Sequence, residues 1–323
     1  MSRLTRRSMV AGLSAAAVLL PHRALAWPDR PITMTHGLAP GGGVDVTARL
    51  VAEGLSRRLG QQVVVESKTG AGGTIAAAQI ARANPDGYSL GFVPSSHAVT
   101  AAMYKALPYK ALDDFTVVGQ ATSFPFIFVT HPEHPIKTLP DLIKEARSRS
   151  TPLLCGVPGQ GTSQHLLLEH FTRLAKIKVQ QVPFRGGAMA LTELLGKRID
   201  FLIDPPIVLL SNVRAGKLHA IAVTGPTRFA GLPNTATVAE AGFPGFAVTS
   251  WMGVVAPAKL PNAVVTRLNT ELAALVAEPA VAERIRALGS EPAPGKPEQF
   301  RALIAADIAR WTAVVADANI DKI

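Results

Sequence analysis

The residues best placed to do chemistry in this chain are glycines. Four short stretches, 41–45, 70–74, 159–163 and 185–188, set glycine beside the start of an expected helix. The first N–H groups of a helix have no partner within it, and the helix dipole adds partial positive charge there. Glycine lets a ligand come close to that backbone. Such a turn can hold an anion without any charged side chain. One such turn is common in tight loops, but four in one chain point to a shared anion pocket.

The usual catalytic signatures are missing. Lys68-Thr69-Gly70-Ala71-Gly72-Gly73 has the parts of a P-loop in the wrong order, with lysine ahead of the glycines. Gly41-Gly42-Gly43 lacks the spacing of a dinucleotide fingerprint and its distant acid. The nucleophile-elbow pattern G-x-S-x-G does not occur. His131-Pro132-Glu133-His134 is a proline-bounded loop without a third ligand, so no metal and no cofactor is expected. Cys155 lies in an apolar strand and reads as an inert buried thiol. As the single cysteine it excludes an intrachain disulfide. The chain therefore reads as a binder. An enzyme on the same cleft would have to use Asp45, Asp204 or His97 as acid or base, with no nucleophile–base pair to support it.

Several side chains near the turns have two readings each. Asp45 either contacts ligand or caps its helix and orders the loop, and capping is the stronger reading. Asp204 ends a strand before two prolines; it reads an amine or hydroxyl on the ligand, or fixes the turn. Arg185 pairs with a carboxylate or stands in solvent. Ser95, Ser96 and His97 lie at a turn-to-helix junction, where contact with ligand competes with capping and packing. The same choice applies to His165. Trp251 packs in the core or at a hinge.

The elements that must position these residues form six units of strand, turn and helix. The strands begin at Ile32, Val63, Ser89, Leu153, Val179 and Phe201, and each is followed by a turn and a helical pattern. In the first helix, placed at about 46–59, Val51, Leu55 and Leu59 recur at four-residue spacing before Gly60. This alternation argues an α/β fold with mostly parallel sheets, whose strand-to-helix turns gather at one edge. Units one to three precede Asp113-Asp-Phe-Thr-Val-Val-Gly119, and units four to six follow it. Phe126-Ile127-Phe128-Val129-Thr130 reads as a connecting strand. An apolar strand near 248–255 and two helices, at about 261–277 and 297–317, return the chain to the first half. The expected division is lobe one at 27–126 plus 248–323 and lobe two at 127–247, joined by two crossovers with the ligand between them.

Composition sets the outer limits. The chain has 323 residues, 48% hydrophobic and 17% charged, which excludes a disordered polymer. The formal charge of +10 invites a nucleic-acid reading. Residues 1–26, however, have a basic start at Arg3, Arg6 and Arg7, an apolar run from Met9 to Leu20 and the small-residue ending Ala24-Leu25-Ala26. That is the pattern of an export signal, by the twin-arginine or the general secretion route. Its removal takes away four arginines and no acid, which leaves a formal +6 over 297 residues. The remaining basic residues are scattered among acids without a basic–aromatic stripe, so nucleic acid is not an expected partner. Beyond the signal no apolar run reaches about 18 residues, so a soluble mature chain is expected.

From Trp27 onward the chain resembles the receptors of bacterial tripartite tricarboxylate transporters, also called Bug receptors. The resemblance is carried by Trp27-Pro-Asp-Arg-Pro-Ile32, Ala39-Pro-Gly-Gly-Gly-Val-Asp45, Gly70-Ala-Gly-Gly73, Asn84-Pro-Asp-Gly-Tyr-Ser-Leu90, Gly161-Thr-Ser163, Val182-Pro-Phe-Arg-Gly186, Ala222-Val-Thr224, Thr237-Val-Ala-Glu-Ala-Gly242 and Trp251-Met-Gly-Val-Val-Ala-Pro257. Their shared order over about 290 residues makes it specific. It implies a periplasmic binding protein of type II-like form that closes around a small carboxylate. It implies a working monomer that serves the membrane subunits of such a transporter, with a membrane sensor as the alternative client.

Carried over residue by residue, the family pocket uses Leu38, Ala39, Gly41, Gly42 and Asp45 from the first turn and Ala71, Gly72 and Thr74 from the second. The other lobe supplies Gly161, Thr162, Ser163, Arg185 and Gly186. Asp204 matches the position that reads an amine in amino-acid-binding members. The chain departs from the family at Leu38, where Phe is usual, and at His36-Gly37, where Pro is common. Leu38 gives a roomier, less aromatic wall. The ligand class stays open among di- and tricarboxylates, acidic amino acids and aromatic acids.

Overall fold

The computed structural model describes residues 27–323, so the export-signal reading lies outside the described residues. The first half runs β1 (Ile32–His36), α1 (Gly43–Leu59), β2 (Val63–Ser67), α2 (Thr74–Ala81), β3 (Ser89–Pro94), α3 (Ser96–Met103) and β4 (Phe115–Pro125). The middle runs β5 (Ile127–Thr130), α4 (Leu139–Ser148), β6 (Leu153–Val157), α5 (Ser163–Ala175), β7 (Val179–Pro183), α6 (Gly187–Leu195), β8 (Phe201–Asp204), α7 (Pro206–Arg214) and β9 (His219–Val223). The last part runs β10 (Thr249–Pro257), α8 (Asn262–Ala277), α9 (Pro279–Ala287), β11 (Glu291–Pro292) and α10 (Pro297–Asp317).

The strands form two sheets, one on each lobe. The first has the order β11-β4-β10-β3-β1-β2 and the second β7-β6-β8-β5-β9. Each sheet has the expected parallel core, β3-β1-β2 and β7-β6-β8. Each also holds an inserted antiparallel strand that alternation alone does not reveal, and the short β11 pairs antiparallel with β4 at the edge of the first sheet. β10 inserts between β3 and β4, and β5 inserts between β8 and β9. These are the strands by which the chain enters each sheet from the other. A parallel neighbour needs a long crossover, whereas a strand arriving directly can run antiparallel.

The two crossings are fastened side by side. Thr224 is fully buried. Its Oγ1 accepts the Phe126 N–H at 2.8 Å and donates to the Val248 carbonyl at 2.6 Å. Its own N–H donates to the Phe126 carbonyl, and its carbonyl accepts the Val248 N–H. One residue thus satisfies both connecting segments at the point where they pass between the lobes.

Periodicity explains the core around the first turn. Val44, Ala48, Val51, Leu55 and Leu59 follow a three-to-four spacing on α1, and all are buried. The helix starts at Gly43 rather than near Val46, because Gly42 already takes the extended backbone of an N-cap. Gly54 lets α8 pack closely: a Cβ there would fall 2.1 Å from Leu275 Cδ1. Glu278-Pro279 opens α9, with proline at the first helical position where its missing N–H costs nothing.

The return strand is locked to the last helix. Trp251 is fully buried, donates its indole N–H to Asp307 Oδ2 at 2.7 Å, and meets Phe300 edge-on at 5.1 Å between ring centroids. Arg310 holds the other Asp307 oxygen at 2.9 Å. Asp307→Ala would strand the indole donor, a loss of about 1–3 kcal/mol. Urea denaturation followed by tryptophan fluorescence is expected to show it, with Asp307→Asn losing less because an acceptor remains.

Candidate functional site

A cavity of about 560 Å³ lies between the two sheets. Leu38, Ala39, Gly42 and Gly43 line it from the first lobe, and Gly186, Gly187, Asp204 and Ile207 from the second. Phe124, Met252 and Leu288 make much of the remaining wall apolar. Three helix starts therefore border one space. α1 begins after Gly42, α6 after Gly186 and α7 after Pro205, and none has a side-chain cap.

Asp45 explains how the first turn keeps its shape. It does not cap α1. Its Oδ2 accepts the Gly41 N–H at 2.9 Å and the Arg49 Nε–H at 3.0 Å, and its Oδ1 faces His36 Nε2 at 2.9 Å. The Leu38 N–H points at His36 Nδ1 at 3.4 Å, which leaves Nε2 as the nitrogen that donates to Asp45. Hydrogen bonding from Arg49 holds the Asp45 carboxyl well below the usual range, against the opposing effect of burial, with Gly41 and His36 adding to it. The carboxylate thus orders the loop from behind and leaves the α1 N–H groups to the cavity side.

The second turn lies against the first. A Cβ on Gly37 would fall 2.4 Å from the Gly73 Cα, so only glycine allows the approach. Gly70, Ala71, Gly72 and Gly73 all have positive φ, Ala71 at 46°. The Ala71 carbonyl accepts the Tyr104 hydroxyl at 3.0 Å. Thr74 is buried at the start of α2. Gly72 and Gly73 border a much smaller cavity, about 20 Å³, with Leu38, Ser96 and His97.

The turn-to-helix junction at 95–97 is used mainly for packing. Ser95 Oγ and Ser250 Oγ are 2.6 Å apart and buried. His97 Nε2 donates to the Ala111 carbonyl at 2.8 Å, and the ring stacks on Tyr109 and meets Phe115 edge-on. Burial lowers its pKa, so it is a neutral core histidine that only edges the small cavity.

In the second lobe, Thr162 caps α5 by accepting the His165 N–H, and its hydroxyl donates to the Gly159 carbonyl. The Gly161 N–H donates to His165 Nδ1 at 3.0 Å. Ser163 is the first residue of α5. A Cβ on Gly161 would fall 3.4 Å from Met103 Cε, so this turn abuts the first lobe outside the large cavity. Arg185 is exposed beside Gly186.

Asp204 is the polar group deepest in the cavity wall. Its Oδ1 accepts the Gln164 amide at 2.7 Å, while its Oδ2 is buried without a partner. Burial pushes its pKa up to about 7, opposed by the Gln164 hydrogen bond. A Cβ on Gly187 would fall 2.1 Å from Oδ2, so glycine is required where α6 begins.

The cavity brings together Leu38, Ala39, Gly42, Gly186 and Asp204. Gln164 and Gly187 belong with them and were within reach of the sequence, each one residue from a position already singled out. The Leu288-Gly289-Ser290 wall had no local signal, because it depends on α9 folding back across the first lobe. Among the described residues no cluster of three metal-ligating side chains occurs, and no helix is long and apolar enough to cross a membrane.

Residues 47–320 match the family profile described as the tripartite tricarboxylate transporter family receptor. The chain belongs to that family. It is a solute-binding receptor with two lobes. BugT of Bordetella pertussis is 33% identical over 318 residues, covering 97% of this chain and 98% of BugT. The solved periplasmic binding protein BugD is 31% identical with a TM-score of 0.76, over 92% of this receptor and all of BugD. The R. palustris protein Rpa4515, solved with adipate, is 33% identical with a TM-score of 0.79, over 92% and 100% of the two chains.

Because Asp45 is more acidic in the fold than in the unfolded chain, it contributes stability above about pH 4 that is lost as pH falls further. Asp45→Ala is expected to remove that contribution and to speed amide exchange across 37–42 at neutral pH. Hydrogen exchange with mass spectrometry checks it; unchanged protection there would show that the carboxylate does not order the loop.

Proposed function

We propose that this receptor captures a small carboxylate in the periplasm and hands it to the membrane subunits of a tripartite tricarboxylate-type transporter. The observation that carries the reading is the uncapped start of α1, held open toward a largely apolar cavity by an Asp45 network that lies behind it. Such a helix start suits an anion. Rpa4515, a neighbour over nearly the whole chain, was solved with the dicarboxylate adipate. An export signal at 1–26 would deliver the protein to the compartment where such receptors work.

The working parts are lobe one, 27–126 plus 248–323, and lobe two, 127–247, turning about the crossings joined by Thr224. A ligand that touches α1 from one lobe and α6 from the other favours the closed form, because only that form offers both contacts. Closure then signals occupancy to the membrane partner. The lining offers no nucleophile–base pair, which supports binding without chemistry, and the receptor works as a monomer.

A thermal-shift panel of mono-, di- and tricarboxylates, aromatic acids and acidic amino acids tests the ligand class, since a ligand specific to the folded state raises its melting temperature. Gly42 has φ −75°, within reach of any residue, and a Cβ there would fall 3.2 Å from the Ala39 carbonyl oxygen, which a small loop shift relieves, so Gly42→Val is expected to keep the fold while placing methyl groups over the α1 start. Calorimetry with the best carboxylate should show at least about a tenfold loss of affinity, equivalent to about 1.4 kcal/mol. Unchanged affinity would remove the α1 turn from the site.

A further inference from the structure

Asp204 poses a problem that the protein alone does not solve. The residue is 1% exposed, yet one carboxyl oxygen has no hydrogen-bond partner. A buried polar atom in that condition is costly, so a missing partner is informative. The atom lies 2.1 Å from where a Gly187 Cβ would be, against the uncapped start of α6, and Asp204 lines the large cavity.

The groups around it are uncharged. From α5 comes the Gln164 amide, and from β5 Ile127 stands opposite in register. From β6 comes the Cys155 thiol, fully buried and pushed well above its ordinary value by that burial. From α7 come Pro206 and Ile207, and from α6 the Gly187 backbone. His165 on α5 accepts the Gly161 N–H and is kept neutral by burial. Among the described residues no lysine or arginine lines the cavity.

A ligand group meeting Asp204 there also meets the positive end of α6. That end disfavours an ammonium and favours a carboxylate. A carboxylate beside an ionised Asp204 would be repelled, and no basic side chain of the cavity wall offsets the repulsion. A proton between the two oxygens removes the conflict: Asp204 donates O–H and the ligand accepts. The first carboxylate of the same ligand would sit at α1. Between the two helix starts the wall is apolar, with Leu38, Phe124, Met252 and Leu288.

We infer that the receptor takes a diacid with a hydrocarbon spacer together with one proton, which Asp204 holds against the second carboxylate. The inference rests on the carboxylate reading above and specifies it. Burial has already brought Asp204 to about 7, so the proton is available near neutral pH at little cost. The proton passes from hydronium or a buffer acid in solvent to the Asp204 carboxylate, forming its O–H bond, and no bond of the ligand is made or broken.

The experiment uses the mature protein with adipate, hexanoate and 6-aminohexanoate, which share a six-carbon chain and differ at the far end. Calorimetry in two buffers of different ionisation heat, at pH 6 and pH 8, reads affinity and proton uptake together. Adipate is expected to bind with uptake of close to one proton at pH 8. Its affinity should fall about tenfold per pH unit above 7. Hexanoate should bind more weakly than adipate at pH 6, with neither uptake nor slope. Asp204→Asn should bind adipate several-fold more weakly at pH 6 and lose both the uptake and the slope.

Adipate binding that is independent of pH and takes up no proton would overturn the inference on the unaltered protein, whatever the variant does. So would 6-aminohexanoate binding more tightly than adipate with affinity rising above pH 7, which would assign Asp204 to an amine. Failure of adipate to bind at either pH also overturns it, while the carboxylate reading itself stands or falls on the wider thermal-shift panel.

Discussion

An aspartate three residues past an N-cap glycine would ordinarily be placed to satisfy its own helix. Asp45 instead turns back and binds Gly41, His36 and Arg49. Much else in the site depends on that turn. The carboxylate fixes the backbone of the first loop and leaves the α1 N–H groups uncommitted. It also explains why His36 is buried at the end of β1, a position where an unpaired imidazole would be a liability. Charge is present at the site, but one layer back, where it shapes the loop and does not compete for the ligand.

The second constraint is topological. A receptor that closes needs two rigid halves and a narrow connection. Each sheet achieves rigidity by accepting a strand from the other half into its interior, antiparallel between strands that are themselves joined by a helix. The crossings then meet at a single buried threonine. On either side of Phe126, Thr224 and Val248 the backbone hydrogen bonds belong to the two sheets. The Trp251–Asp307 lock secures the last helix to the strand that returns through this point.

This division also explains what was legible in the sequence. The parallel units are readable because each carries its own periodicity and turn, and their strands begin at the predicted Ile32, Val63, Ser89, Leu153, Val179 and Phe201. β5 and β10 were recognisable as strands, but their insertion was not, since pairing partners far apart in sequence leave no local trace. β9 leaves little signal because its alternation is short, and α9 because Glu278-Pro279 reads equally as a stop or a start. Within the site, the glycine turns stood out by composition. The use of Asp45 as a loop brace rested on choosing between two chemically sensible roles. That Asp204 keeps one oxygen unpaired is a property of packing around Gly187, which no spacing rule carries.

Backbone recognition has a consequence for how closure is driven. A ligand shifts an open–closed balance only by the difference between its affinities for the two forms. A cationic side chain on one lobe would hold an anion almost as well with the cleft open as with it shut. Two helix starts on opposite lobes do not behave that way. Each is weak alone in water and gains strength as water leaves the space between them. The apolar wall built from Phe124, Met252 and Leu288 therefore matters as much as the donors. On the proposed reading it lowers the dielectric only once the lobes meet, which concentrates the free energy of binding in the closed form.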